Sequence, residues 1–223
     1  MLYDFHTHTF LSDGELLPME LIRRCLINGY TAMAITDHVG PSTVERVVEE
    51  VARECEMARR LWNFNVFPGV EITHVPARGV AEVARRAREC GALVVVVHGE
   101  TVVEPVEPGT NRASVECPDV DILAHPGFIT AEEAGLAAAN GVFLEITRRK
   151  GHNITNGYVA RIARDTGADL IVNTDGHAAG DLLTPDFAVT VARGAGLSEQ
   201  EVEWALRRNP EKLLARIRSR EST

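Results

Sequence analysis

Leu2-Tyr3-Asp4-Phe5-His6-Thr7-His8 is a short β-type run that ends in two imidazoles, and the chain repeats that construction. Asp37-His38 follows Ala32–Thr36, Glu71 follows Val66–Val70, His98 follows Leu93–Val97, and His125 follows Ile122–Ala124. Asp175-Gly176-His177 ends the run Leu170–Thr174, and Val142–Ile146 completes a set of seven predicted strands. Between them Val44, Val47, Val48, Val51 and Cys55 recur with helical period, as do Val80, Val83, Ala84 and Ala87, and then Ile154, Tyr158 and Ile162. Strands that alternate with helices predict a parallel sheet covered by helices, an α/β class fold.

The tail adds two helices over 198–220, expected to pack on the barrel. Ser198-Glu199-Gln200-Glu201 is a capping box, and Asn209-Pro210 reads as a cap and first-turn pair opening a helix whose apolar side is Leu213, Leu214 and Ile217. At 223 residues and 45% hydrophobic content the chain can bury one sizeable core, so one domain over 1–223 is expected. Residue 6 already belongs to the ligand set, which leaves no room for a signal peptide, and the run Leu93–Val97 is far too short to cross a bilayer; the expected location is the cytoplasm. Cys25, Cys55, Cys90 and Cys117 form no CxxC pair and read as reduced thiols without a chemical role. A net charge of -9 argues against long nucleic acid wrapped on a general basic surface.

The ligand-type side chains all sit at the C-terminal ends of predicted strands, where parallel β/α barrels place their chemistry. Isolated structural histidines would scatter over helices, loops and both strand ends. Residues i and i+2 of a strand share a side, so His6 and His8 can both face inward, as can Asp175 and His177. The turn Leu11-Ser12-Asp13-Gly14 returns a further carboxylate toward the first pair. Imidazole and carboxylate suit zinc, manganese and iron, and a pool this large is enough for two or three ions.

In order from residue 6 to residue 177, His6-Thr7-His8-Thr9 with Ser12-Asp13-Gly14, Ile35-Thr36-Asp37-His38, Gly69-Val70-Glu71, Ala124-His125-Pro126-Gly127 and Asp175-Gly176-His177 resemble the polymerase and histidinol phosphatase (PHP) family. The resemblance implies a distorted TIM-like (β/α)7 barrel and a trinuclear metal site. By that resemblance His6, His8, Glu71 and Asp175 would hold the first ion, Glu71, His98 and His125 the second, and Asp13, His38 and His177 the third. All nine positions carry a competent ligand, which favours an active enzyme. The implied chemistry is phosphoester hydrolysis by a hydroxide shared between ions roughly 3.5–4 Å apart. Glu71 is the expected bridging carboxylate, and Glu71, Asp175 and His177 are the catalytic candidates. No GxSxG motif or P-loop offers another route.

Around this set the readings divide. Asp37 either orients a ligand or caps a turn, and it stays outside the predicted site; His74 reads as a surface residue. Arg148, Arg149, Lys150 and His152, after the sixth strand, are candidates to grip phosphate, with a solvated basic loop as the competing reading, and Arg112, in the stretch Val102–Arg112, is a candidate lid residue set against the more ordinary reading of a mobile surface loop. The expected activity is hydrolysis of a small phosphate monoester or a short nucleotide, with no membrane partner. A C–N hydrolase of the amidohydrolase class falls behind, because such barrels use a carbamylated lysine and the only lysines here are Lys150 and Lys212. Two alternatives stand: a nuclease on short oligonucleotides, and a non-catalytic, metal-stabilised module that docks on nucleic-acid machinery through the arginine-rich tail Arg207–Arg220.

Overall fold

The computed structural model describes residues 1–221. Its strands are β1 (Tyr3–Asp4), β2 (Ala32–Ile35), β3 (His38–Val39), β4 (Asn65–Ile72), β5 (Val94–His98), β6 (Ile122–Ala124), β7 (Phe143–Thr147) and β8 (Leu170–Asn173). All pair in parallel, in the order β1-β2-β4-β5-β6-β7-β8, with β3 beside β4. The first and last strands also meet: Asp175 N–H donates to His6 O at 3.0 Å, His8 N–H to Gly176 O at 2.8 Å, and Thr174 Oγ1 to Asp4 Oδ2 at 2.6 Å. The result is a seven-stranded parallel sheet nearly closed into a barrel with helices around it, a distorted TIM-like (β/α)7 fold.

Two apolar layers follow from the period-2 alternation of the strands. Met33, Ile35, Val95, Val97, Leu123, Leu144 and Ile146 face outward onto the helices, whose inner stripes include Val47, Val48, Val51, Val83, Ala84 and Val159. Ala32, Ala34, Phe67, Val94, Val96, Ile122, Phe143 and Ile171 fill the barrel, and Leu213, Leu214 and Ile217 of the helix Asn209–Glu221 plug its floor. Along the inward parity the apolar column turns polar at the C-terminal ends: Phe67 leads to Glu71, Val96 to His98, Phe143 to Glu145, and Ile171 to Asn173 and Asp175.

Three local expectations need correction. The second strand is interrupted at Thr36–Asp37, so that β2 pairs with the first half of β4 and β3 with its end, joined by Glu71 N–H donating to Asp37 O at 3.0 Å. Ile154 is exposed, because it falls in the 3-10 turn His152–Thr155 ahead of the helix Asn156–Thr166; Val159, Ala160, Ile162 and Ala163 supply that helix's buried side. Asn209 is not a cap. The chain runs helically through it after a π turn, Trp204–Arg208, with Asn209 N–H reaching Trp204 O, and its side-chain amide donates to Leu170 O at 2.8 Å. Pro210 lacks an N–H and its ring crowds the carbonyl four residues back, so a widened turn just before it is the expected accommodation. The Ser198–Glu201 capping box does form.

Candidate metal centre

The barrel mouth gathers all eight histidines of the chain. Three ligand groups converge there: His8, Asp13, His38 and His177; His6, Glu71 and His125; and His6, His8 and Asp175. Glu71 is the hub. Its Oε1 lies 3.3 Å from His6 Nε2 and 3.6 Å from His125 Nε2, and its Oε2 lies 3.5 Å from His8 Nε2 and 2.7 Å from His38 Nδ1. Asp175 Oδ1 stands 3.3 Å from His8 Nε2 and 3.8 Å from His6 Nε2. Asp13, returned by its turn, places Oδ1 3.1 Å from His177 Nε2 and 3.4 Å from His38 Nε2. Gly14 allows that turn by close approach, since a Cβ there would stand 2.6 Å from His8 O. His98 falls outside the three groups; its Nε2 faces Glu104 Oε2 at 3.1 Å.

Two ligand backbones are held in the left-handed region, His125 at φ 26° and Asp175 at φ 52°. Non-glycine residues persist there only when their surroundings over-determine them, and they cluster at functional sites.

The donor set fits divalent ions. Among the described residues, the buried side-chain polar atoms that make no well-directed hydrogen bond are His6 Nε2, both ring nitrogens of His8, both oxygens of Glu71, which meet imidazoles only as ion pairs, His98 Nδ1 and His125 Nδ1, and every one belongs to a predicted ligand. Buried polar atoms are otherwise almost always paired. Tautomers sharpen the point. His177 Nδ1 lies 3.0 Å from the Asp175 carbonyl, which can only accept, so Nδ1 carries the hydrogen and Nε2 of the neutral ring turns a lone pair toward the Asp13 carboxylate. Two lone pairs about 3 Å apart repel unless a cation lies between them. His6 stands among three carboxylates, with Nδ1 2.8 Å from Glu145 Oε1 and Nε2 facing Glu71 and Asp175; burial opposes its charge, but Glu145, Glu71 and Asp175 raise its pKa well above the ordinary imidazole range, and a bound cation would take the place of that charge.

Electrostatics agree. Burial, aided by the charge on His38, drives the His8 imidazole down to about 4, and burial also takes His98 to about 4, so both favour the neutral form that a metal accepts. Burial alone would raise Glu71, but His6 and then His38 outweigh it and hold the carboxyl well below its ordinary range. Burial opposes the charge on His38 too, yet Glu71 and Asp13 lift it to about 10.

A supporting layer holds the ligands. Glu145 also accepts His125 N–H at 3.1 Å and Asn173 Nδ2 at 3.0 Å. Asp37 accepts Thr9 N–H, Thr9 Oγ1 and Ser12 Oγ at 2.6 to 2.7 Å and so fixes the segment carrying Asp13. Asp181 accepts His177 N–H at 3.0 Å. Glu145 escaped the sequence reading although a signal was available: an acid in the middle of the apolar run Phe143–Thr147 has to be paired.

Above the ligands opens a cleft of about 540 Å³ lined by Asp13, His38, His74, His98, Glu104, Arg149, His152, Asp175 and His177, together with Leu11 and Val39. Arg149 and His152 therefore face the cleft as expected, and His74 stands at its mouth. Arg148 and Lys150 do not; they line a separate groove beside Phe187, and Arg148 pairs with Asp181 at 2.5 Å. Arg112 is turned away on the helix Thr110–Glu116, paired with Glu116 and Glu132, so it forms no lid. The stretch before it is ordered by Glu100 Oε1, which accepts the N–H groups of Gly109 and Asn111, both at 2.9 Å.

A nearly closed parallel barrel with histidine and carboxylate clusters at its C-terminal mouth that could hold metal ions defines a class of metal-dependent proteins. The chain belongs to the PHP domain family, whose family model matches residues 4–125. It is 50% identical to an uncharacterized protein of Methanocaldococcus jannaschii over 97% of this chain and 100% of that one. It is 27% identical to ribonuclease P protein component 3 of Methanosarcina barkeri over 97% of this chain and 90% of that one. A probable phosphatase of a Thermoanaerobacter species is 26% identical over 91% of this chain and 89% of that one. A chain of the archaeal ribonuclease P structure with mature tRNA shares the fold at a TM-score of 0.70 and 16% identity, over 99% of this chain and 91% of that one.

Proposed function

We propose that this protein is a metal-dependent phosphoesterase that hydrolyses a small phosphate monoester or a short nucleotide. His6, His8, Asp13, His38, Glu71, His98, His125, Asp175 and His177 would hold two or three divalent ions, zinc, manganese or iron. The carrying observation is the set of buried ligand atoms that make no well-directed hydrogen bond, beneath an open cleft. When bound, such ions lower the pKa of water at the site and neutralise charge on a phosphoryl group. Glu71, at the hub, would bridge; Asp175 and His177 would border the reacting atoms; Arg149, at the rim, offers a permanent cation to an anionic substrate. No lysine lines the cleft, which removes the bridging group of the C–N hydrolase alternative.

The test is metal content by elemental analysis, coupled to phosphate release from a panel of monoesters after reconstitution with each metal. Two or three equivalents, with turnover lost in Glu71→Ala and His125→Ala, support the reading. No bound metal after reconstitution overturns it.

A second reading, association with a nucleic-acid complex, is supported by the whole-length similarity to ribonuclease P protein component 3. The tail gives it little help, because Arg207, Arg216 and Arg220 are engaged with Glu203, Gly141 and Asp121. Salt-dependent retention of single-stranded RNA without hydrolysis would select it.

A further inference from the structure

The loop after β7 turns three consecutive cations to two sides. Arg149 faces the cleft above the ligand set, whereas Arg148 and Lys150 line the neighbouring groove of about 750 Å³, which the helix Pro185–Gly194 lines as well. Cleft and groove therefore share one ridge. Asp181 ties that ridge to the metal centre: Oδ1 accepts from Arg148 at 2.5 Å, while Oδ2 stands 3.7 Å from Arg149 Nη1 and accepts the N–H of His177 at 3.0 Å.

The groove is positive on a chain whose net charge is -9. Asp181 is the one acid among its lining residues, and Arg148 already matches it. Lys150 is exposed and, among the described residues, enters no ion pair. Two apolar side chains stand uncovered in the same groove: Phe187, 45% exposed in the first turn of its helix, and Ile154, 67% exposed in the turn His152–Thr155. The Arg148 guanidinium lies 6.0 Å from the centroid of the Phe187 ring, so a cation and an aromatic face flank one opening.

This pairing suits a polymer that alternates phosphates with bases. Cations in a groove track the backbone, and any base can stack on an exposed aromatic ring because every base has a π-face. An acidic peptide would satisfy the cations and leave the ring bare, and a small monoester needs only the cleft. We propose that the groove seats the nucleotides next to the reacting one in a short single strand, with Lys150 and Arg148 on backbone phosphates and Phe187 under a base. The proposal rests on the phosphoesterase reading above and narrows its substrate class to the end of a strand: the reacting phosphate enters the cleft past Arg149, and the rest crosses the ridge.

The full-length protein, reconstituted with manganese and assayed for metal content, is titrated calorimetrically with phosphorothioate oligodeoxyadenylates of one to four nucleotides, which resist hydrolysis. Wild type is expected to bind the trinucleotide about 10-fold or more tightly than the mononucleotide, the scale of a stacked base with an added phosphate contact. Phe187→Ala and Lys150→Ala should each remove about 5- to 10-fold of that gain, and Phe187→Tyr should keep it. Lys212→Ala, whose ammonium pairs with Asp169 away from the groove, is the control and should match wild type. Both Phe187 and Lys150 are exposed, so their variants should fold. Affinity that does not grow with strand length, or a gain that survives in both alanine variants, overturns the proposal and leaves the metal centre intact. A pentaglutamate peptide bound as tightly as the trinucleotide overturns it in favour of an acidic peptide. Length preference in a protein that takes up no manganese upholds the groove and overturns the phosphoesterase reading.

Discussion

His6, just past β1, and Glu145, on β7, form a buried pair, Nδ1 to Oε1 at 2.8 Å. The contact fixes the ring of His6 so that Nε2 points toward Glu71 and Asp175. Outer partners of this kind tune metal affinity. Glu145→Gln, nearly isosteric, should retain the fold and bind metal about 10- to 100-fold more weakly. Isothermal titration that gives wild-type affinity would remove Glu145 from the centre.

Metal should stabilise the fold through mass action. An ion at 100 times its dissociation constant adds about 2.7 kcal/mol, which for a chain of this size raises Tm by about 5–10 °C. Thermal unfolding of chelator-treated protein, repeated after addition of zinc or manganese, measures it. A Tm indifferent to metal would count against a preformed, high-affinity centre.

At the opposite end of the barrel, Asp121 is fully buried and receives Arg88 at 2.6 Å and Arg220 at 2.8 Å, with Arg216 at 3.5 Å. Burial would raise this carboxyl, but Arg88 and then Arg220 outweigh it and hold the group below its ordinary range. Its stabilising contribution is therefore complete above the unfolded value, near about 3.9, and is lost as pH falls through the depressed folded value. Asp121→Asn should cost about 3–5 kcal/mol at pH 7, because guanidinium groups lose a buried partner, and should flatten the acid limb of stability against pH. Denaturant midpoints at pH 7 and below pH 4 test both; equal losses at the two would refute the linkage.

Gly127 has φ +59°, and a Cβ added there would stand 2.0 Å from Glu100 O. Both the conformation and the space forbid a side chain, and His125 is two residues away. Gly127→Ala is expected to destabilise by more than about 1 kcal/mol and to weaken metal binding with it. A variant with wild-type Tm and metal content would show that the segment can shift freely.

The strands, and the convergence of histidines and acids at their ends, were legible because both obey short rules: β-type runs bounded by helical patterns, and ligand-type side chains placed where a parallel barrel exposes its strand ends. His125 and Asp175 were recognisable by type, but their left-handed backbones were not, since nothing in Ala124–Gly127 demands that twist before the tertiary contacts exist. Glu104 sits in an aperiodic stretch where sequence marks no direction, and its approach to His98 and His152 depends on how Glu100 ties the loop. Arg112 misled for the same reason: a loop was expected where the chain forms a short helix, and helical spacing sent its side chain to Glu116. Ile154 failed because a 3-10 turn rotates it away from the period that Val159 and Ile162 keep.

His6 and His8 stand just past the first strand and Asp175 and His177 just past the last, so the centre straddles the seam at which the cylinder shuts. Bringing such distant segments together is the loop closure with the largest entropic penalty in this topology, and local helix formation does nothing to offset it. A nascent chain still lacking its final strand has no complete site to load. An ion held by both margins would act as a stitch, inserted after synthesis has nearly finished, and metal uptake would then mark the moment the barrel closes.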